Sequence, residues 1–434
     1  MSRIRRWLHP GVGIKRWLAV VFVGELLLAL AGALIIRLAF RDAQPGSPAA
    51  QLFDLVSLQF LPLALRPIVV IAAGIGIFLY GSWRLLNVLL EPFPTRTEPL
   101  VELIYQKRSL ARGPRIVAIG GGTGLSVLLR GLKELSSNIT AVVTVADDGG
   151  SSGMLRQELG IPPVGDLRNC IAALADAEPA MARLLQYRFP TEPGANGVGG
   201  HAFGNLLIAA LSAIEGDFEE GVRQSNKVLA VRGQVVPVAP EALTLHAELA
   251  DGRSLEGQSV IARARGIRRV WITPADVAAS GEAVEAILAA DLVVLGPGSL
   301  YTSLLPSLLV PGIRAALEAS QALRVYVANV ATQVGETEGY TLSEHLAALH
   351  AHGVGSIIDT VVANDNRRAR AVLGDPGAPV GVDLALDGTP RVITADIVDD
   401  DNAHHHDSHK LAALLARLAD ERVVPRAHVV ARTA

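Results

Sequence analysis

Arg115-Ile-Val-Ala-Ile-Gly-Gly-Gly-Thr-Gly-Leu-Ser-Val-Leu-Leu129 is the stretch that decides the fold. A β-branched run stops at glycines, and an apolar, helix-compatible run starts at Gly124. Strand, tight turn and helix in that order form an anion cradle. Glycines let the backbone approach a phosphate, and the helix N-terminus offers unpaired N–H groups and a partial positive charge. The spacing Gly120-x-Gly122-x-Gly124 departs from the dinucleotide pattern, because Leu125 stands where its third glycine would fall. A purely structural turn is the alternative reading. A second strand-like run, 140–146, ends in Asp147 and Asp148, carboxylates able to accept a ribose hydroxyl or hold a metal. The chain is therefore expected to handle a nucleotide or another phosphorylated ligand.

The bulk properties narrow the class. A net charge of −3 over 434 residues gives no basis for bulk electrostatic binding, so nucleic acid is not an expected partner. Aromatic residues make up 4% of the chain, too few for a single-strand stacking platform. Cys170 is the sole cysteine, which excludes an intrachain disulfide and a cysteine zinc cluster and fits a reducing compartment. The apolar excess sits at the N-terminus, in runs at 17–36, broken by Glu25, and 64–83, which contains Arg66. Each reaches the ~20 residues needed to cross a bilayer core. Arg3, Arg5, Arg6, Lys15 and Arg16 precede the first run; Arg84, Arg96, Lys107, Arg108 and Arg112 follow the second. The positive-inside rule places both ends in the cytoplasm and residues 40–60 outside. The expected organisation is a membrane hairpin in the lipid bilayer (1–90), a proline-rich linker (91–113), a nucleotide-binding domain (114–420) and a tail (421–434). This puts the protein at the cytoplasmic membrane with most of its mass in the cytoplasm. A buried hairpin of a soluble protein is the alternative. Glu25 is read as a helix-packing group rather than part of a transport path.

Strand-like runs recur at 116–119, 141–146, 270–272, 292–295, 325–330 and 357–362, mostly separated by helical runs. The alternation predicts an α/β fold, a mostly parallel sheet with helices on both faces. Residues 231–249 and 260–269 read as a strand-rich insertion with a turn at 251–253. Beyond the cradle Gly120, Gly121, Gly122, Thr123 and Gly124, four loops fall after strands or before helices, where open α/β folds bind ligands. The first carries Asp147 and Asp148, candidates for ligand hydroxyls and for Mg²⁺, the one cofactor considered. The second carries Gly165 and Asp166, the latter also a candidate helix cap. The third carries His201 and Asn205; the fourth carries Gly296, Pro297, Gly298, Ser299 and Thr302, a second candidate anion nest. His201 and His345 are each either acid/base groups or structural histidines. No nucleophile–base motif appears, so no catalytic residue is assigned. The run from Asp399 to Asp407, with His404, His405 and His406, is either metal-binding or a solvated loop before the last helix.

In order and spacing, Gly120–Gly124, Val145–Gly153, Pro162–Asn169, Gly200–Asn205, Gly296–Ser303 and Thr332-Gln-Val-Gly-Glu-Thr337 resemble the YvcK proteins, or gluconeogenesis factors, a branch of the CofD-like family. The resemblance runs from about 114 to 418 and does not cover the hairpin. It implies a Rossmann-like domain that binds UDP-N-acetylglucosamine and links gluconeogenic carbon metabolism to cell-wall synthesis and cell shape. Partners among cell-wall synthesis proteins and a homo-oligomer are expected with it. The CofD branch implies instead a transferase that moves a phospholactyl group from a guanosine diphosphate carrier to a deazaflavin with Mg²⁺. The sequel Gly149-Gly-Ser-Ser-Gly153 resembles the YvcK branch. An NAD-dependent enzyme is a weaker third reading. Relatives tend to show Arg-His-Asp before the final helix, where this chain has His405-His406-Asp407. His405 is thus a ligand-binding candidate without arginine's fixed, forked cation.

A reporter fused after Ala434 is expected to behave as cytoplasmic. Protease access to residues beyond 114 from outside intact cells would rule this topology out.

Overall fold

In the computed structural model, the quoted stretch opens with a five-residue strand, β1 (Ile116–Gly120), buried at every position. The structure describes residues 60–90, 108–176, 178–191, 197–366, 377–384 and 390–427, with isolated positions before 60. Among the described residues nine further strands follow: β2 (Ile139–Val143), β3 (Gln234–Pro237), β4 (Thr244–Leu249), β5 (Ser254–Glu256), β6 (Ile267–Thr273), β7 (Leu292–Leu295), β8 (Leu323–Val327), β9 (Thr360–Asn364) and β10 (Arg391–Ala395). Seven strands make one sheet in the order β10-β9-β8-β7-β1-β2-β3, and every pairing in it is parallel. The order reverses between β1 and β7, which makes that gap the topological switch point of a doubly wound sheet. The loops leaving β1 and β7 diverge there and open a crevice at the strands' carboxyl ends.

The helices of the argument are α1 (Gly122–Leu132), α2 (Gly150–Leu159), α3 (Gly165–Leu174), α4 (Phe203–Glu215), α5 (Gln258–Ile261), α6 (Gly281–Ala289), α7 (Pro311–Ala319) and α8 (Ser408–Ala427). In α1, Leu125, Leu128, Leu129 and Leu132 recur at helical spacing and are all buried. α1 packs against α3 and α8, while α6 packs against α7. Right-handed crossovers put the helices that follow β1 and those that follow β7 on opposite faces.

The three-stranded sheet β5-β4-β6 is antiparallel and separate. Residues 270–272, grouped by pattern with the main sheet, belong to this insertion. β3, expected within the insertion, is an edge of the main sheet. β4 alternates half-buried and buried residues, as a strand with one wet face does, and so reads differently from the wholly buried β1 and β2. β10 was not anticipated, because the polar run around it masks five residues of sheet edge.

The chain divides into two compact units, Met1–Arg108 and Ser109–Ala434. In the first unit the helix Arg66–Leu90 begins with an apolar stretch, Arg66–Gly81, whose Ile71, Ile77, Phe78 and Leu79 are exposed. Among the described residues no single helix is long and apolar enough to cross a membrane; most of the run at 17–36 lies outside them. In the second unit the chain enters at the amino end of the sheet. Ser137 N–H donates to the Leu110 carbonyl, and Asn138 Nδ2 donates to those of Ala111 (3.1 Å) and Gly113 (2.8 Å).

α1 and α8 approach at a glycine. A Cβ on Gly131 would overlap the Ser408 carbonyl oxygen and come within 2.8 Å of the Ala412 Cβ. Gly131→Ala is expected to destabilise the domain by about 1–3 kcal/mol, the usual cost of overpacking. Chemical denaturation checks this, and a variant as stable as the parent would show that α8 can shift freely.

Candidate functional site

A cavity of about 690 Å³ lies at the switch point. Its walls are the β1–α1 turn, the turn after β7, the loop after β8 and the histidine run before α8. Of the residues anticipated from sequence, Gly121, Gly122, Thr123, Gly124, Pro297, Gly298, Ser299 and His405 line it. Gly120 and Gly296 sit just behind, facing each other at the ends of β1 and β7.

The glycines of the first turn have separate reasons. A Cβ on Gly124 would lie 2.7 Å from the Pro297 carbonyl oxygen, so glycine permits the two turns to touch backbone to backbone. A Cβ on Gly121 would meet the Asp166 Oδ2 at 2.5 Å and the Thr144 Cγ2 at 2.7 Å. Gly122 has φ +65° and faces the open cavity, with only Ser303 Oγ near. Asp166 does not cap its own helix; its carboxylate accepts the Gly122 N–H from behind the cradle. Burial, then the neighbouring Asp147, raises its pKa to about 6.

The second turn is occupied by the protein itself. Glu336, buried, reaches the start of the helical segment after Ser299. Its Oε1 accepts the N–H groups of Tyr301 (2.6 Å) and Thr302 (3.1 Å), and its Oε2 accepts the Thr302 hydroxyl (2.9 Å). Thr302, expected at the ligand, is buried and engaged by Glu336. The anion nest anticipated there already holds a carboxylate, and burial pushes the Glu336 pKa up to about 7. The same loop presents Gln333, which accepts a hydrogen bond from the Ser299 hydroxyl (2.7 Å), and Asn329, which accepts the Gly298 N–H (3.3 Å). Asn329 and Val127 line the cavity without having been singled out, while Ser303, Thr332 and Gln333 were quoted only within motifs and His404 only within the histidine run. Asn329 had a usable signal, since it follows the carboxyl end of a parallel strand.

A second group of anticipated residues converges elsewhere. The Ser151 hydroxyl accepts from Asn205 Nδ2 (2.9 Å) and the Ala202 N–H (3.2 Å), and lies 3.3 Å from His201 Nδ1. Arg168 donates to Asn205 Oδ1 (3.1 Å). His201 and Asn205 thus belong to a buried cluster uniting the loops of Asp147, Gly165 and Gly200. Asp166 joins this cluster to the cradle.

The acidic pair is split. Asp147 Oδ1 accepts the Gly149 N–H (2.9 Å), and a Cβ on Gly165 would lie 3.0 Å from its Oδ2. Asp148 Oδ1 accepts the Ser259 N–H (2.8 Å) at the start of α5, tying β2 to the insertion beside a smaller pocket of about 240 Å³. Asp147 thus engages the turns at Gly149 and Gly165, and Asp148 engages the Gly257–Ser259 segment. Among the described residues no group of three or more His, Cys, Asp or Glu is arranged for a metal, the run 399–407 included. His345 donates Nδ1–H to the Thr341 carbonyl (2.8 Å) on its own helix and lies away from the cavity. His406 donates Nε2–H to the Ala328 carbonyl (3.1 Å); burial holds its pKa down to about 4, so it is a neutral strut. Lys410 pins the preceding loop through Asp396 and Asp400, each at 3.0 Å.

The fold and site define a doubly wound α/β protein with a glycine-walled polar cavity at its switch point. The model of the family 2-phospho-L-lactate transferase CofD matches residues 116–397. Proteins called gluconeogenesis factor are similar: that of Halalkalibacterium halodurans is 48% identical over 306 residues, 68% of this chain and 94% of its own. That of Bacillus subtilis is 45% identical over 320 residues, 72% of this chain and 100% of its own. A relative from Nostoc sp. is 44% identical over 430 residues, 95% of this chain and 92% of its own. A crystal structure of a Bacillus halodurans protein superposes with a TM-score of 0.64 at 45% identity, covering 70% of this chain and 99% of that one. The chain belongs to the CofD-like family, among the gluconeogenesis factors of the YvcK type.

Because Glu336 binds its proton more tightly when folded, its stabilising contribution is complete below 4.5 and is lost as pH rises through about 7. Glu336→Gln keeps an acceptor for the two N–H groups and cannot ionise. It is expected to gain on the parent by about 1–3 kcal/mol between pH 5 and pH 8. Denaturant unfolding at the two pH values measures this; an unchanged difference would mean the carboxylate titrates normally.

Proposed function

We propose that the chain is a membrane-anchored sensor that binds UDP-N-acetylglucosamine on the cytoplasmic side and couples gluconeogenic carbon metabolism to cell-wall synthesis and cell shape. The observation that carries the reading is the cavity. Its volume falls in the ligand-pocket range, it sits where α/β sheets bind nucleotides, and its walls offer neutral donors and acceptors suited to sugar hydroxyls. The N-terminus of α1, at Gly122–Gly124, faces the position a diphosphate would take. The exposed apolar side chains of Arg66–Gly81 support the anchor. Cell-wall synthesis proteins and a second copy of the chain are the partners this role requires.

The second reading is the phospholactyl transferase. Asp166 and the Ser151–His201 pair favour it, because titratable groups crowd behind the cradle.

Calorimetric titration of the full chain with UDP-N-acetylglucosamine, guanosine diphosphate and NAD separates these readings. Thr123→Val, which removes a hydroxyl from the cavity wall at nearly constant volume, is expected to weaken UDP-N-acetylglucosamine binding roughly tenfold. Preference for guanosine diphosphate, with Mg²⁺-dependent turnover of its phospholactyl derivative, would replace the sensor by the enzyme.

A further inference from the structure

α4 is apolar on both sides. Gly204, Asn205, Ile208, Ala209 and Ser212 face inward and are buried. Phe203, Leu206, Leu207, Ala210, Ala213 and Ile214 fall on the opposite side at helical spacing, and from Phe203 to Ile214 the helix holds no charged residue. Ala210, Ala213 and Ile214 are exposed, Ile214 by 76%, while Phe203, Leu206 and Leu207 are half-buried. A helix that is apolar all round belongs in an interior. The surroundings extend the stripe. Leu184, on the helix Glu178–Gln186 that packs against α4, is exposed, and so is Tyr187, whose carbonyl accepts the Phe203 N–H. The charges stand at the two ends and differ in sign. Arg188, exposed, is at the start of α4, where it donates to the Gly200 carbonyl (3.2 Å). Glu215 and Asp217, both exposed, are at its close.

We propose that this face docks a second copy of the chain, α4 against α4, antiparallel about a two-fold axis near Leu207 and Ala210. In a two-fold contact residue i of one copy meets j of the other, and j meets i. With the axis at the middle of the stripe, Leu207 and Ala210 meet their own counterparts, and Phe203 of each copy lies over Ile214 of the other. Glu215 and Asp217 of each copy then approach Arg188 and the positive start of α4 on the other. Parallel stacking would set acid on acid. Lipid is the other surface such a stripe could meet. An interfacial helix carries lysine and arginine along its polar margin, and α4 carries neither. The contact supplies the surface for the second copy that the sensor reading calls for. It also stands without that reading, because no nucleotide enters it. Residues 192–196 precede α4 and lie outside the described residues, so the substitutions that test the contact sit toward its other end.

The test is sedimentation of the full chain in non-ionic detergent from about 1 to about 100 µM, with cysteine cross-linking beside it. Wild type is expected to pass from monomer to dimer within that range. Ile214→Arg, at a position exposed enough to leave the fold and its thermal unfolding unchanged, should raise the dissociation constant roughly tenfold or more, because it puts a charge into an apolar contact. Ala210→Cys should give a disulfide-linked dimer on mild oxidation, since positions near the axis come within disulfide reach. Glu215→Cys should not, because the two ends of a helix about 20 Å long stay apart across the axis. Cys170 is fully buried and does not compete. A wild type that is monomeric throughout, an unchanged dissociation constant in Ile214→Arg, or equal cross-linking of the two cysteine variants overturns the proposal. A monomer whose Ala210→Cys variant, carrying an environment-sensitive dye, shifts to the blue on anionic vesicles assigns the face to lipid and overturns it too. The nucleotide titration above succeeds or fails independently of these outcomes.

Discussion

The approach of Gly124 to the Pro297 carbonyl is the contact on which the rest of the site depends. A methyl group at Gly124 would stand 2.7 Å from that oxygen, so the two turns meet at a distance that no side chain allows. This contact closes the floor of the crevice at the one place where the sheet's winding reverses. With it in place, α1 starts at the cavity, its leucines are directed onto the sheet, and α8 docks against Gly131 to deliver the histidine run to the opposite wall.

Around that floor the protein uses carboxylates where a ligand's phosphates were anticipated. Asp166 holds the back of the first turn, and Glu336 holds the start of the helical segment after the second. Each is buried at the cost of a raised pKa; Asp166 accepts the Gly122 N–H, and Glu336 those of Tyr301 and Thr302. Among the described residues the cavity lining holds no Lys, Arg, Asp or Glu, and its polar groups are backbone amides, hydroxyls, side-chain amides and imidazoles. The match to the CofD family model and the likeness to gluconeogenesis factors describe one scaffold. The cavity lining is where this chain expresses its own chemistry.

Sequence reading reached the parallel sheet because β1, β2, β7, β8 and β9 are short β-branched runs buried on both faces, and such runs are periodic enough to see. β3 and β6 were assigned to each other's sheets because a strand's partner is a long-range property that local pattern does not encode. The glycine turns were legible, since only close backbone approach demands so many glycines. Which atoms approach was not: Asp166 and Glu336 reach Gly122 and Tyr301 from 44 and 35 residues away in sequence, through side chains whose direction is set by packing. Asp148 was misplaced for the same reason. A strand end delivers a carboxylate to a region, but its rotamer and the Ser259 N–H decide where it points.

The described domain is threaded from its foot. Leu110, Ala111 and Gly113 are fastened beside the first residues of β1 and β2, while the cavity opens past their last ones. A five-residue strand separates the two by roughly 17 Å. The first residues of this unit are therefore fastened at the end of the sheet away from the cavity. Within the second unit, entry of the chain and opening of the cavity thus take opposite ends of the same strands, so a substitution at one end reaches the other only through the length of the sheet.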